Sequence, residues 1–124
     1  MTTHEEHVSA VVVLEAWRAR LCARGLREAH ERMRRGIAAG GIDMREAMTI
    51  AQTMDSAIDM LRRTAARLEE GSELRRLAED VLVAFTRWRA AEPRSDDSRV
   101  SALRFGTLVH ELEKVASRES TATS

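Results

Sequence analysis

A polar pair within one helical segment is the strongest candidate for chemistry in this sequence. Gln52 and Asp55 stand three residues apart in an apolar-periodic stretch, so a helix places them one turn apart. A carboxylate and an amide at this spacing can orient a water molecule for attack on a phosphoryl group held by a partner. The alternative is an ordinary polar rim beside the apolar face of the helix. The sequence leaves both interpretations open.

The residues around this pair resemble a known motif. The stretch Ala51-Gln52-Thr53-Met54-Asp55 is similar to the Ser-Gln-Glu-Leu-Asp motif of the Spo0E-like aspartyl-phosphate phosphatases, which are helical hairpins that dephosphorylate response regulators. Ala51 and Thr53 replace two residues of that motif. The resemblance implies that Asp55 and Gln52 would be the catalytic residues of such a phosphatase.

Basic residues are concentrated in one segment, which makes a nucleic-acid interface a second possibility because guanidinium groups bind phosphate through paired hydrogen bonds. The candidate residues are Arg24, Arg27, Arg34 and Arg35. Glu28 and Glu31 are interleaved at spacings that favour ion pairs within a helix, and the segment has no aromatic residue for base stacking. Over the whole chain, 20 basic and 20 acidic residues cancel. Nucleic acid is therefore the less favoured partner.

Metal and cofactor chemistry find little support in the sequence. His4 and His7 stand three residues apart, whereas a zinc-protease motif needs four-residue spacing and a third ligand. Cys22 is the only cysteine, so neither an intrachain disulfide nor a cysteine pair for zinc can form. A glycine-rich phosphate loop is also missing. We expect no metal site, no cofactor-binding residue and no cofactor.

Apolar residues recur alternately three and four positions apart along most of the chain, which is typical of helices packed lengthwise. The central row, called the α2 seam below, is Met44, Ala47, Ala51, Met54, Ile58, Leu61, Ala65 and Leu68. Signals for strands are few. The sequence therefore predicts an all-α fold, an antiparallel bundle of four helices with short connections.

The first predicted helix is long and carries two apolar stripes. It spans about residues 3–39, and its first stripe contains Leu14, Trp17 and Leu21. Gly25 lies where this stripe meets the second one. A glycine there could end or kink the helix, or it could be tolerated within a continuous helix. We favour the continuous helix because no loop residues follow Gly25.

Turn and capping residues set the other boundaries. The second helix is predicted over about residues 43–70, the third over 72–92 and the fourth over 98–116. At 124 residues the chain suits one helical-bundle domain, predicted over 1–116. The polar segment 117–124 is predicted to be a disordered tail.

The predicted helix lengths indicate a homodimer. The second helix, at about 27 residues or roughly 40 Å, exceeds the third, at about 20 residues or roughly 30 Å. A projecting apolar seam needs cover, and a second copy of the chain is the simplest source of it. The partner contacts are predicted at Met44, Met48, Ala51 and Met54.

The favoured function is that of a small non-enzymatic protein–protein interaction module with a regulatory, adaptor or inhibitory role. Composition suggests a bacterial or phage origin. No apolar run approaches the roughly 20 residues of a membrane span, and the N-terminus lacks the pattern of a signal peptide, so we expect a cytoplasmic protein without membrane contact. The phosphatase and the nucleic-acid-binding regulator remain the alternatives.

Overall fold

A computed structural model describes the backbone of residues 3–121 and the side chains of residues 11–121. This part of the chain is almost entirely helical and contains no strand. The helices are α1 (Thr3–Ala38), α2 (Met44–Ala65), α3 (Glu73–Ala90) and α4 (Asp96–Thr121). The predicted all-α fold with four helices is confirmed. Because α4 extends to Thr121, residues 117–121 of the predicted tail are helical, and residues 122–124 lie outside the described part.

Local capping explains where α2 and α3 begin. The Oδ1 atom of Asp43 accepts a hydrogen bond from the backbone N–H of Glu46 at 2.8 Å, and the Oγ atom of Ser72 accepts one from the backbone N–H of Arg75 at 3.2 Å. Each bond satisfies an N–H group that a helix start leaves unpaired. Gly40 has a φ of 114°, a conformation that glycine adopts without strain. The predicted starts of α2 and α3 are confirmed.

α1 is one helix of 36 residues and passes through Gly25 without a break. A Cβ atom at Gly25 would lie 3.9 Å from the Cβ of Ala57, which is ordinary van der Waals contact. The prediction of a continuous helix is confirmed.

The first predicted stripe of α1 is not the face that packs. Leu14, Trp17 and Leu21 are all exposed, with 46% of Trp17 accessible to solvent. Among the side chains that the structure describes on this half of α1, from residue 11 onward, the fully buried ones are Ala16 and Ala19. Small side chains let neighbouring helices approach closely, so the packing face of α1 is marked by alanine rather than by large apolar residues.

The helices form an antiparallel ring in the order α1, α2, α3, α4, as short connections require. α1 packs along both α2 and α4, and α3 packs along α4. Contact between α2 and α3 is much weaker, so the ring is loosest on that side. None of the helices in the described range is long and apolar enough to span a membrane.

The predicted end of α2 is wrong, and so is the length argument built on it. α2 stops at Ala65 and has 22 residues against 18 for α3. Beyond it the chain tightens into a turn, with backbone hydrogen bonds from Arg67 to Thr64 and from Leu68 to Ala65. Arg75 of α3 donates to the carbonyl of Leu68 at 3.0 Å and fixes that turn. α2 is still longer than α3, but the larger excess in length belongs to α1, which has 36 residues.

Candidate functional site

The α2 seam is divided into a buried lower half and an open upper half. Its last five members, from Met54 to Leu68, are buried in the core. At the upper half, Met44 is 79% exposed, and Ala47 and Ala51 are also exposed. The neighbouring Met48 is 57% exposed. A continuous apolar row on one helix thus packs inside the bundle at one end and faces solvent at the other.

An apolar groove of about 340 Å³ lies beside this open half, between the first turns of α2 and the last turns of α3. We call it the α2/α3 groove. Its lining is Met33, Ile42, Ala47, Ile50, Ala51, Met54, Phe85, Trp88, Arg89, Ala91, Pro93 and Ser98. Met54 is buried at the groove, so a partner can reach it only from within the groove.

An aromatic cluster supports the α3 wall of the groove. The ring centroid of Phe105 on α4 lies 5.4 Å from that of Trp88 and 5.7 Å from that of Phe85. Both pairs are tilted, with interplanar angles of 37° and 49°, and their separations lie in the favourable range for aromatic pairs. Trp88 and Phe85 both line the groove, so the shape of its wall depends on packing against α4.

One ion pair crosses from α2 to α3 at the edge of the groove. The Oδ1 atom of Asp55 accepts a hydrogen bond from Nη1 of Arg89 at 3.1 Å. The guanidinium carbon of Arg89 also lies 5.5 Å from the ring centroid of Phe85, within the range of a cation–π contact. Both partners are exposed, so the pair contributes modestly to stability.

The two residues of the phosphatase hypothesis face different neighbours. Asp55 bonds to Arg89 of α3, whereas Gln52 lines a shallow depression on the α1 side, together with Leu21 and Met60. Their side chains are exposed, and Asp55 is not among the residues that line the depression beside Gln52. The catalytic roles of Asp55 and Gln52 stay a prediction.

Two of the four arginines suggested for nucleic acid form ion pairs with nearby glutamates. Arg24 lies 3.5 Å from Glu28, and Arg27 lies 2.6 Å from Glu113 on α4. Arg34 and Arg35 are exposed and form no ion pair within the described part of the chain. The four residues therefore differ in how much of their charge is available to a partner.

Cys22 is a buried thiol without the features of a reactive one. Burial raises its pKa to about 11, and a hydrogen bond with Thr64 acts weakly in the opposite direction. A thiol with such a pKa is protonated at neutral pH and is a poor nucleophile.

His30 is a core residue that the sequence analysis did not identify as one. Its imidazole centroid lies 5.8 Å from those of Trp88 and Phe105. A Cβ atom at Gly106 of α4 would come within 3.0 Å of its Cε1, so the glycine makes room for the ring. A glycine inside a helix costs about 1 kcal/mol relative to alanine, and Gly106 was the sequence signal that a bulky neighbour packs there.

The environment of His30 disfavours its charged form. Burial lowers the pKa of His30 below 6.5, and the charge of Arg34 acts in the same direction, while a hydrogen bond to the backbone of Ala102 and the charge of Glu31 oppose it. The Nε2 atom is buried and has no hydrogen-bond partner within the described part. His30 is therefore neutral in the folded protein at neutral pH.

A loss of stability in mild acid follows from the lowered pKa of His30. The unfolded chain binds the proton more readily, so the free energy of unfolding should fall as the pH drops from 6.5 through the lower folded pKa. Urea unfolding of the wild type on both sides of this range measures the fall. His30→Gln should flatten this fall. Equal slopes for the wild type and His30→Gln would contradict the assignment.

The described side chains contain no group of three or more histidine, cysteine or acidic residues that could hold a metal ion. The side chains of His4 and His7 lie outside the described part of the chain. Comparison of the chain with protein families, with curated proteins and with solved structures gives no match. The class of protein is therefore inferred from the bundle and its surfaces.

Proposed function

We propose that this protein is a non-enzymatic interaction module that self-associates through the α2/α3 groove and the open half of the α2 seam. The observation that carries the proposal is the divided seam. The same apolar spacing that fills the core at the lower end of α2 continues into solvent at Met44, Ala47 and Ala51, beside the exposed Met48. Exposed apolar surface that is continuous with a core and borders an apolar groove is typical of protein–protein contact sites.

The order of large and small residues on α2 supports a second copy of the chain as the occupant. A two-fold axis between Ala47 and Met48 would set two α2 helices antiparallel. Met44 would then face Ala51 of the second copy, and Ala47 would face Met48 of the second copy. Met44 and Met48 thus each meet an alanine, which is the self-complementarity that an isologous interface requires.

This arrangement also fills the groove. Ala51 lines it, so a methionine placed opposite Ala51 enters beside Trp88 and Phe85. Thioether sulfur makes favourable contacts with aromatic rings, and the flexible methionine chain adapts to irregular cavities. Met44 of each copy would thus anchor the dimer in the groove of the other.

A regulatory, adaptor or inhibitory role fits such a module, because association would change which of its surfaces are available to other proteins. Association would cover the upper half of α2, and dissociation would uncover it. We also propose that the protein is cytoplasmic and of bacterial or phage origin.

A charge at the centre of the proposed interface should dissociate the dimer. We expect Met48→Glu to weaken self-association at least thirtyfold, roughly the effect of losing an interface hot spot, because two carboxylates would face apolar surface near the axis. Sedimentation equilibrium over a range of protein concentrations measures it. Met60→Glu is the matched control, since Met60 is a 46% exposed methionine on α2 outside the groove.

Three outcomes would refute the interface. The wild type could be monomeric at all concentrations tested. Met60→Glu could weaken the dimer as much as Met48→Glu, or Met48→Glu could leave it intact. Circular dichroism of both variants should match the wild type, because both positions are exposed.

A further inference from the structure

A second pocket, with a polar lining, lies on another face of the bundle. It is formed between α1 and α4 and has a volume of about 310 Å³. We call it the α1/α4 pocket. Its lining is Arg27, His30, Glu31, Arg34, Leu103, Gly106, Thr107, Val109 and His110. Two arginines and two histidines among nine residues distinguish it from the apolar α2/α3 groove.

The acidic side chains near this pocket are already paired with Arg27. Glu113 accepts two hydrogen bonds from Arg27, at 2.6 Å from Nε and 3.3 Å from Nη2. Glu31 lies 3.6 Å from the same guanidinium group. This cluster ties α1 to α4. Its one guanidinium group and two carboxylates leave a net negative charge, so Arg27 offers little positive charge to a ligand.

Arg34 and His110 remain available on opposite walls. Arg34 lies on α1 and forms no ion pair with any described residue, although its charge acts on the neighbouring His30. His110 lies on α4 and is exposed, with no hydrogen bond or ion pair in the described range. Gly106 of α4 also lines the pocket, and the space that its side chain would take is occupied by the ring of His30.

We infer that the α1/α4 pocket binds the phosphate group of a small molecule, held between Arg34 and His110. The guanidinium of Arg34 offers a planar set of N–H donors to two phosphate oxygens, and the imidazole of His110 donates to a third. A tetrahedral phosphate has oxygens in several directions and can bridge two helices, whereas the two oxygens of a carboxylate lie in one plane. The inference rests on different residues from the proposed dimer.

The neutral His30 beneath the pocket would respond to such a ligand. Arg34 and Glu31 of α1 are the charged groups that act on it, α4 contributes the pocket residue His110, and α3 presents the uncharged Trp88. A bound anion would favour the imidazolium form, so phosphate should raise the pKa of His30 and bind more tightly as the pH falls. The signals of the His30 ring therefore serve as a reporter inside the pocket.

Titration with inorganic phosphate, followed by NMR of the histidine rings at constant ionic strength, tests the inference. We expect saturable shifts of the His30 and His110 signals in the wild type. Arg34→Ala should weaken binding by about tenfold or more, the effect of losing charged hydrogen bonds. Arg35→Ala is the matched control, because Arg35 is an exposed neighbour that does not line the pocket. The phosphate affinity of this variant should stay within about twofold of the wild type, because salt screens an exposed surface charge.

Several results would overturn the inference. The histidine signals could shift without saturation, or chloride could shift them as much as phosphate does. Arg34→Ala and Arg35→Ala could weaken phosphate binding equally, or acetate could bind as tightly as phosphate. Phosphate binding that survives in Met48→Glu would show that the pocket works independently of the dimer, so failure of either proposal is distinguishable from failure of the other.

Discussion

Phe105→Ala should lower the free energy of unfolding by about 3–5 kcal/mol, the usual cost of removing a fully buried aromatic ring. Phe105 is inaccessible to solvent, and its ring contacts His30 of α1 together with Phe85 and Trp88 of α3. It therefore joins three helices at one level of the bundle. The cavity left by alanine cannot close easily, because the surrounding rings are held by separate helices.

Urea unfolding with unchanged m-values measures this loss. Leu103→Ala is the control on the same helix, since Leu103 is 64% exposed and its truncation should change stability by less than about 0.5 kcal/mol. Because Trp88 and Phe85 also form a wall of the α2/α3 groove, Phe105→Ala should in addition weaken self-association. A loss below about 1 kcal/mol would mean that the aromatic cluster is not a structural centre of the fold.

The starts of the helices could be predicted because local chemistry sets them. Asp43 and Ser72 each have a side-chain oxygen that satisfies a nearby backbone N–H, and this needs no information from distant parts of the chain. The end of α2 could not be predicted in this way. Residues 66–70 are mostly good helix formers, and the bond that fixes the turn comes from Arg75 of the next helix.

The packing face of α1 shows a different limit of sequence patterns. Leu14, Trp17 and Leu21 have helical spacing and large apolar side chains, yet they are exposed. Ala19 and Ala23 are fully buried on the same half of the helix. Alanine is common on both faces of helices, so its pattern carries little information. Its small size matters only when two other helices press against it.

The candidate site was predictable in part. Met44, Met48 and Ala51 could be named because they belong to, or adjoin, a regular apolar row. The α2/α3 groove beside them could not be foreseen, since it depends on how weakly α2 packs against α3. The role of His30 was hidden for the same reason, because its aromatic and glycine neighbours come from α3 and α4.

The divided seam predicts opposite behaviour for two residues of one helix. Leu61, in the lower half, is fully buried, so Leu61→Ala should lower the free energy of unfolding by about 2–5 kcal/mol. Met44, in the upper half, contacts little within the monomer, so Met44→Ala should change it by less than about 0.5 kcal/mol. Both measurements need a protein concentration at which the chain is monomeric, because a dimer adds concentration-dependent stability.

The dimer affinity should respond to the same two substitutions in the opposite way, with the larger loss for Met44→Ala. Met44→Ala removes the side chain proposed to enter the groove of the second copy, so it should weaken the dimer. Leu61 lies outside the interface, so Leu61→Ala should leave the dimer affinity of the folded chain near that of the wild type. The two measurements together separate a seam that is divided between core and interface from one that serves only the core. If Met44→Ala were neutral in both, Met44 would have no role in association, and the proposed dimer would be wrong at the contact that anchors it in the groove.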